Sequence, residues 1–78
     1  MYRITAENGL SVRETDDLAS VEVAFLPSGT LVVVHEVVAN GSANRVLGQL
    51  DDGTWISLAT VVNTVAWVQV YVDNTVTL

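Results

Sequence analysis

The side chains that could do acid–base or nucleophilic chemistry are few and scattered along the chain. The one histidine, His35, lies inside the most apolar run, residues 30–39. In an extended strand its neighbour Glu36 points to the opposite face, so local sequence cannot join the two into an acid–base pair. Ser11, Ser20, Ser28, Ser42 and Ser57 carry no motif that presents a nucleophile, and a triad would have to be assembled around this interior histidine. The pairs Asp16-Asp17 and Asp51-Asp52 offer oxygens, yet neither extends into the alternating ligand pattern of a calcium loop. Turn formation and solubility account for both. With no cysteine there is no disulfide and no thiolate site, and a lone histidine would need several carboxylates converging on it to hold a metal. The expectation is a non-catalytic protein with no metal and no cofactor. Asn40-Gly41-Ser42 matches a glycosylation acceptor, but its role as a turn suffices.

The charge balance narrows the partners. Nine carboxylates stand against three arginines and no lysine, a net charge of -6. Such a chain repels a phosphate backbone, whose binding relies on several Lys or Arg contacts, so nucleic acid is not an expected partner. Carboxylates instead keep a valine-rich surface from associating indiscriminately. Half of the residues are apolar and only 15% are charged. The apolar runs fall far short of the ~20 residues a membrane helix needs. The N-terminal residues show no basic segment followed by an apolar stretch and a cleavage site, so no signal peptide, membrane span or compartment is indicated.

The elements that must position these residues are strands. Seventy-eight residues suffice for one small core. The apolar residues follow a period of two, are mostly β-branched, and are interrupted by turn residues about every 8–12 positions, as in a small barrel or sandwich. Strands are expected at residues 2–6, 10–13, 20–26, 30–39, 45–50 and 54–59, with a further strand or hairpin after Val61. Glu7-Asn8-Gly9, Pro27-Ser28-Gly29, Asn40-Gly41-Ser42 and Asp51-Asp52-Gly53 read as turns, and Asp73-Asn74 as a last turn or the end of a strand. In residues 20–26, Val21, Val23 and Phe25 share one face and Glu22 and Ala24 the other, the pattern of a half-buried strand.

Taken together, Tyr2-Arg3-Ile4-Thr5-Ala6, Asn8-Gly9-Leu10-Ser11-Val12-Arg13, a polar loop, and Val23-Ala24-Phe25-Leu26-Pro27-Ser28-Gly29-Thr30-Leu31-Val32-Val33-Val34 resemble the bacterial SH3-like domain. Its hallmark is a Gly-Leu-x-Val-Arg stretch followed by Leu-x-x-Gly-Thr and a valine-rich strand. Gln49-Leu50-Asp51-Asp52-Gly53-Thr54-Trp55-Ile56-Ser57-Leu58 looks like the family's closing hairpin. The resemblance covers residues 2–60. Two positions depart from the pattern: Glu14-Thr15-Asp16-Asp17 replaces the usual Ser-Gly-Pro-Ser, and Thr54 replaces the glycine before the late tryptophan. The resemblance implies a small SH3-like barrel of about five strands at residues 1–60. Residues 61–78 would form an additional C-terminal strand or hairpin, packed on the same domain or pairing with another chain.

The resemblance also implies a non-catalytic module that binds a protein or a cell-wall peptide, in a groove bordered by Arg13, Glu14, Asp16, Asp17 and Trp55. The surplus of apolar residues suggests a second class of function. Along residues 30–39, Leu31, Val33, His35 and Val37 face one way and Val32, Val34, Glu36 and Val38 the other, and one barrel buries a single set. Along residues 65–72, Ala66, Val68, Val70 and Val72 look like core and leave Trp67 and Tyr71 outside as an aromatic platform. Either the tail from Val61 covers the second set, with these aromatics over a second small core, or another molecule does, and then Val32, Val34, Trp67 and Tyr71 are the expected interface of a homo-oligomer or larger assembly. In that reading the chain is a structural subunit such as a virion decoration, coat or filament protein.

Overall fold

The computed structural model describes residues 1–62 and 65–70. Among these the chain is all-β. Its strands are β1 (Tyr2–Ile4), β2 (Leu10–Arg13), β3 (Glu22–Leu26), β4 (Leu31–Val32), β5 (Glu36–Asn40), β6 (Arg45–Gln49), β7 (Trp55–Ala59) and β8 (Val68–Val70). They form a three-stranded sheet in the order β4-β1-β8 and a five-stranded sheet in the order β3-β2-β7-β6-β5, and every neighbouring pair is antiparallel. The described strands thus make two sheets and no closed barrel.

The turns fall where glycine and asparagine allow them. Gly9, Gly29 and Gly53 have positive φ, and among the described residues Asn44 is the one non-glycine residue that does. The Gly9 amide donates to the Ala6 carbonyl at 2.9 Å, and the Gly53 amide to the Leu50 carbonyl at 3.0 Å. Asn44 closes the β5–β6 turn by donating its amide to the Gly41 carbonyl, while its side-chain oxygen accepts from the Val62 amide at 3.0 Å.

Strand alternation builds the core. Leu10 and Val12 of β2 and Ile56 and Leu58 of β7 point inward and meet Ile4 of β1, and Ile4 and Ile56 are the most deeply buried large side chains. Leu47 is only 2% exposed but stands apart from this cluster. Its register partner is Ser57, so it lies on the opposite face of the five-stranded sheet.

Residues 30–39 are not one strand. Residues 33–35 bend the chain from β4, which pairs with β1, to β5, which pairs with β6, and the His35 amide donates to the Gln49 carbonyl at 2.8 Å as the second pairing begins. The bend answers the question of two apolar faces: Val32 and Val34 lean on the core, whereas Leu31, Val33 and Val37 are exposed. The strand expected to be half-buried, β3, is exposed on both faces. Val21, Val23 and Phe25 are 64%, 49% and 56% exposed. The reason is its place at the sheet edge, where no second layer covers it and a bulge between Val12 and Arg13 shifts its register.

Residues 65–70 join the two sheets. Ala66 bridges Ala59, and the Trp67 amide donates to the Leu58 carbonyl at 2.9 Å, which extends the pairing of β7. The Trp67 carbonyl then accepts from the amides of Thr5 and Ala6, after which β8 runs antiparallel to β1. Trp67 and Val68 both pack against the core, while Ala66 and Val70 are exposed, so the expected division of this segment into core and platform does not hold. The reason is that Trp67 sits at the crossing from one sheet to the other, where strict alternation breaks. Tyr71, Val72 and the Asp73-Asn74 turn lie outside the described residues.

Candidate functional site

The outer face of the five-stranded sheet brings together polar and aromatic side chains. Arg13 and Trp55 are direct cross-strand partners between β2 and β7, and Trp55 is in turn opposite Gln49 on β6. By alternation Ser11, Ser57, Arg45 and Leu47 share this face with them. Residues 14–20 form a loop whose Leu18 is half-buried over it. Arg13, Thr15, Leu18, Leu47, Trp55 and Ser57 surround one small crevice there.

The loop is held by its own short polar residues. Arg13 donates from a guanidinium nitrogen to the Ser20 carbonyl at 2.9 Å, and the Glu14 amide donates to the Val21 carbonyl at the same distance. The Asp17 carboxylate accepts from the Ala19 amide at 2.9 Å, an Asx-type turn. The Ser20 hydroxyl donates to the Thr15 carbonyl and accepts from the Thr15 amide. Asp17 therefore shapes the loop, and Glu14 and Asp16 are exposed upon it.

Beside the crevice is a wider depression of about 320 Å³ lined by Ser11, Arg13, Leu18, Arg45, Ser57 and Trp67, with Gly9 and Leu10 at its end. Of these only Arg13 belongs to the groove expected from the sequence; the others are not assigned to it, Arg45 and Trp67 among them. Arg45 lies in a turn-to-strand segment without a motif, and only the passage of residues 65–67 along β7 brings Trp67 beside it. The Arg45 guanidinium carbon stands 4.8 Å from the centre of the Trp67 ring, a cation–π contact, and one of its nitrogens donates to the Asn44 carbonyl at 3.2 Å. Among the described residues neither Arg13 nor Arg45 has a carboxylate within ion-pair distance.

Of the interface residues named from sequence, Val32, Val34 and Trp67 all lean on the core, and Tyr71 is outside the described residues. Leu31 and Val33, next to Val32 and Val34, do face solvent, as do Val65 and Val70 on either side of Trp67. Together with Val32, Leu26, Leu50, Asp51 and Asp52, Leu31 and Val33 line a shallow hollow of about 370 Å³.

His35 has an acid partner that local sequence could not supply: its Nε2 meets a carboxylate oxygen of Asp51, with the two side chains 57% and 74% exposed. Among the described residues no Ser or Thr hydroxyl bonds the other ring nitrogen, so the nucleophile of a triad is not assembled there. Nor do three or more His, Asp or Glu side chains among the described residues converge as a metal site. The Asp52 carboxylate is held below the ordinary carboxylate range, first by the hydroxyl of Thr54 and then by the Thr54 amide.

No family model, curated protein or solved structure matches the chain.

Proposed function

We propose that this chain is a non-catalytic binding module, a variant of the small SH3-like barrel, whose ligand is a protein or cell-wall peptide. The observation that carries the reading is the opposed Arg13–Trp55 pair, set under the loop of residues 14–20 and continuous through Arg13 with the depression that holds Arg45 and Trp67. An aromatic surface beside a guanidinium is the combination that anchors peptides, because it joins large apolar contact area to a directional donor. The SH3-like part of the proposal is supported by the β2 strand ending in Arg13, the polar loop to β3, and the hairpin over Asp51-Asp52-Gly53 that enters β7 at Trp55. It also requires the two sheets to behave as one barrel, joined through the bend at residues 33–35 and the crossing at Trp67. Titrating the isotopically labelled protein with purified cell-wall fragments and with short peptides tests the proposal. Shifts concentrated on Arg13, Trp55 and residues 14–20 support it, and no shift with any of them rejects it.

A second reading, a structural subunit of a homo-oligomeric assembly, is favoured by one specific observation. Among the described residues eleven large apolar side chains are exposed and only six are buried, and three of the exposed ones, Val21, Val23 and Phe25, line the open edge of a sheet. Edge strands with apolar side chains are templates for pairing with another chain. Light scattering across a wide concentration range separates the readings: a stable multimer indifferent to cell-wall material selects the subunit, and a monomer that shifts with it selects the module.

A further inference from the structure

The depression on the outer sheet face concentrates what little positive charge the protein has. Of three cationic side chains in a chain of net charge -6, two, Arg13 and Arg45, line the same hollow. Nine carboxylates are available to neutralise them, yet among the described residues neither guanidinium has an acidic partner. Each spends a donor on a backbone carbonyl, Ser20 for Arg13 and Asn44 for Arg45, and each guanidinium has five N–H donors, so several remain. Those two bonds, with the stacking of Arg45 on Trp67, fix the forks before any ligand arrives. Preorganised donors lose little entropy on binding. Ser11 and Ser57 add hydroxyl donors between the two arginines, and Leu18 and Trp67 supply apolar walls.

We infer that this depression binds a single carboxylate of a peptide, a free C-terminus or an acidic side chain, with the adjoining apolar group against Leu18 and Trp67. The inference deepens the binding-module reading and rests on it. A planar guanidinium fork matches a carboxylate in bidentate geometry. The volume, about 320 Å³, lies at the lower end of the range of about 300–1,000 Å³ for small-ligand pockets, which suits one or two residues rather than a long chain. The overall charge argues in the same direction. An extended polyanion brings further charges over a chain of net charge -6, whereas one carboxylate is held chiefly by the two guanidinium groups that line the hollow, because screening cuts off charges beyond about 8 Å.

The test is a titration of the full chain, followed by NMR, with acetyl-Gly-Leu carrying a free carboxylate, with its C-terminal amide, and with inorganic phosphate. The expected result is saturable shifts at Ser11, Ser57 and the Trp67 indole for the acid. Binding should be at least tenfold weaker for the amide and for phosphate, and at least tenfold weaker for the acid in Arg45→Gln. Arg13→Lys retains a cation and serves as the second variant, with a smaller loss expected because the fork is gone but the charge stays. A folded spectrum for each variant is the control. Equal binding of acid and amide, or tighter binding of phosphate than of the acid, overturns the carboxylate assignment. The two readings fail separately. If the acid does not bind but cell-wall fragments still shift Arg13 and Trp55, this inference falls and the module stands; if neither ligand shifts anything, both fall.

Discussion

Val34 Cγ1 stands 2.9 Å from the point where a β-carbon on Gly48 would lie, and both terminal methyls of Leu58 stand 3.0 Å from it. The bend at residues 33–35 can seat Val34 against β6 only because that position has no side chain. Gly48 is buried, so the crowding has no outlet to solvent. Gly48→Ala is expected to cost about 1–3 kcal/mol by overpacking, read as a lowered midpoint of chemical denaturation with an unchanged slope. An unchanged midpoint would mean that the bend yields freely.

Gly9 is constrained twice. Its φ is +79°, and a β-carbon there would come within 2.5 Å of the Leu26 carbonyl oxygen and of the Phe25 ring. The left-handed conformation alone costs an L-residue about 1–2 kcal/mol, and the backbone contact adds to it. Gly9→Ala should therefore destabilise at least as much as Gly48→Ala, and the thermal midpoints of the two variants can be compared directly.

Ile56 and Phe25 both stand in strands expected from the sequence, but the fold separates them. Ile56 is 1% exposed and Phe25 56% exposed. Ile56→Ala should cost about 2–5 kcal/mol, a large share of the roughly 4–12 kcal/mol expected for a chain of this length. Phe25→Lys should change monomer stability by no more than about 0.5 kcal/mol. If β3 forms an interface between copies, the same Phe25→Lys change should reduce the mass seen by light scattering at high concentration. A mass that stays high would place the interface elsewhere.

Asp52 supplies a pH prediction. The Thr54 hydroxyl and then the Thr54 amide stabilise its ionised form and lower its pKa below the ordinary 3.8. A carboxyl lowered in the folded state contributes stability that is present above the unfolded value and lost as pH falls through the folded value. The window is therefore acidic, below pH 3.8, and the group is fully exposed, so the effect on stability is small. Thr54→Val removes the first cause and should move the Asp52 carboxyl pKa upward toward 3.8 in a carbon-detected titration, while the amide bond keeps part of the shift. No upward movement would show that the hydroxyl is not the main cause.

Much of the local architecture was legible in the chain itself. Turns at Asn8-Gly9, Pro27-Ser28-Gly29 and Asp51-Asp52-Gly53 follow from residues that tolerate positive φ or preset it, and the β-branched alternation between them specifies strands; the turn expected at Asn40-Gly41-Ser42 spans residues 41–44, with its positive φ at Asn44. The family resemblance names both Arg13 and Trp55 as bordering a groove, while their register pairing is a feature of the fold. His35 with Asp51 and Arg45 with Trp67 could not be read as pairs, because each is joined by strand order rather than by spacing.

A period of two determines that side chains alternate, and here it determined an all-β chain, while the members of the core, Ile4, Leu10, Val12, Ile56 and Leu58, emerged only from the fold. It does not determine which of two apolar faces finds a partner. That depends on which strand lies alongside and whether a second layer covers it, and these are long-range contacts. Only the tertiary structure placed β3 at an open edge, bent residues 33–35 so that Val32 and Val34 turned inward, and carried Trp67 across from one sheet to the other. The same long-range pairing brought Arg45 to Arg13, since like-charged side chains far apart in sequence share a hollow only when the sheet order sets their strands on one face.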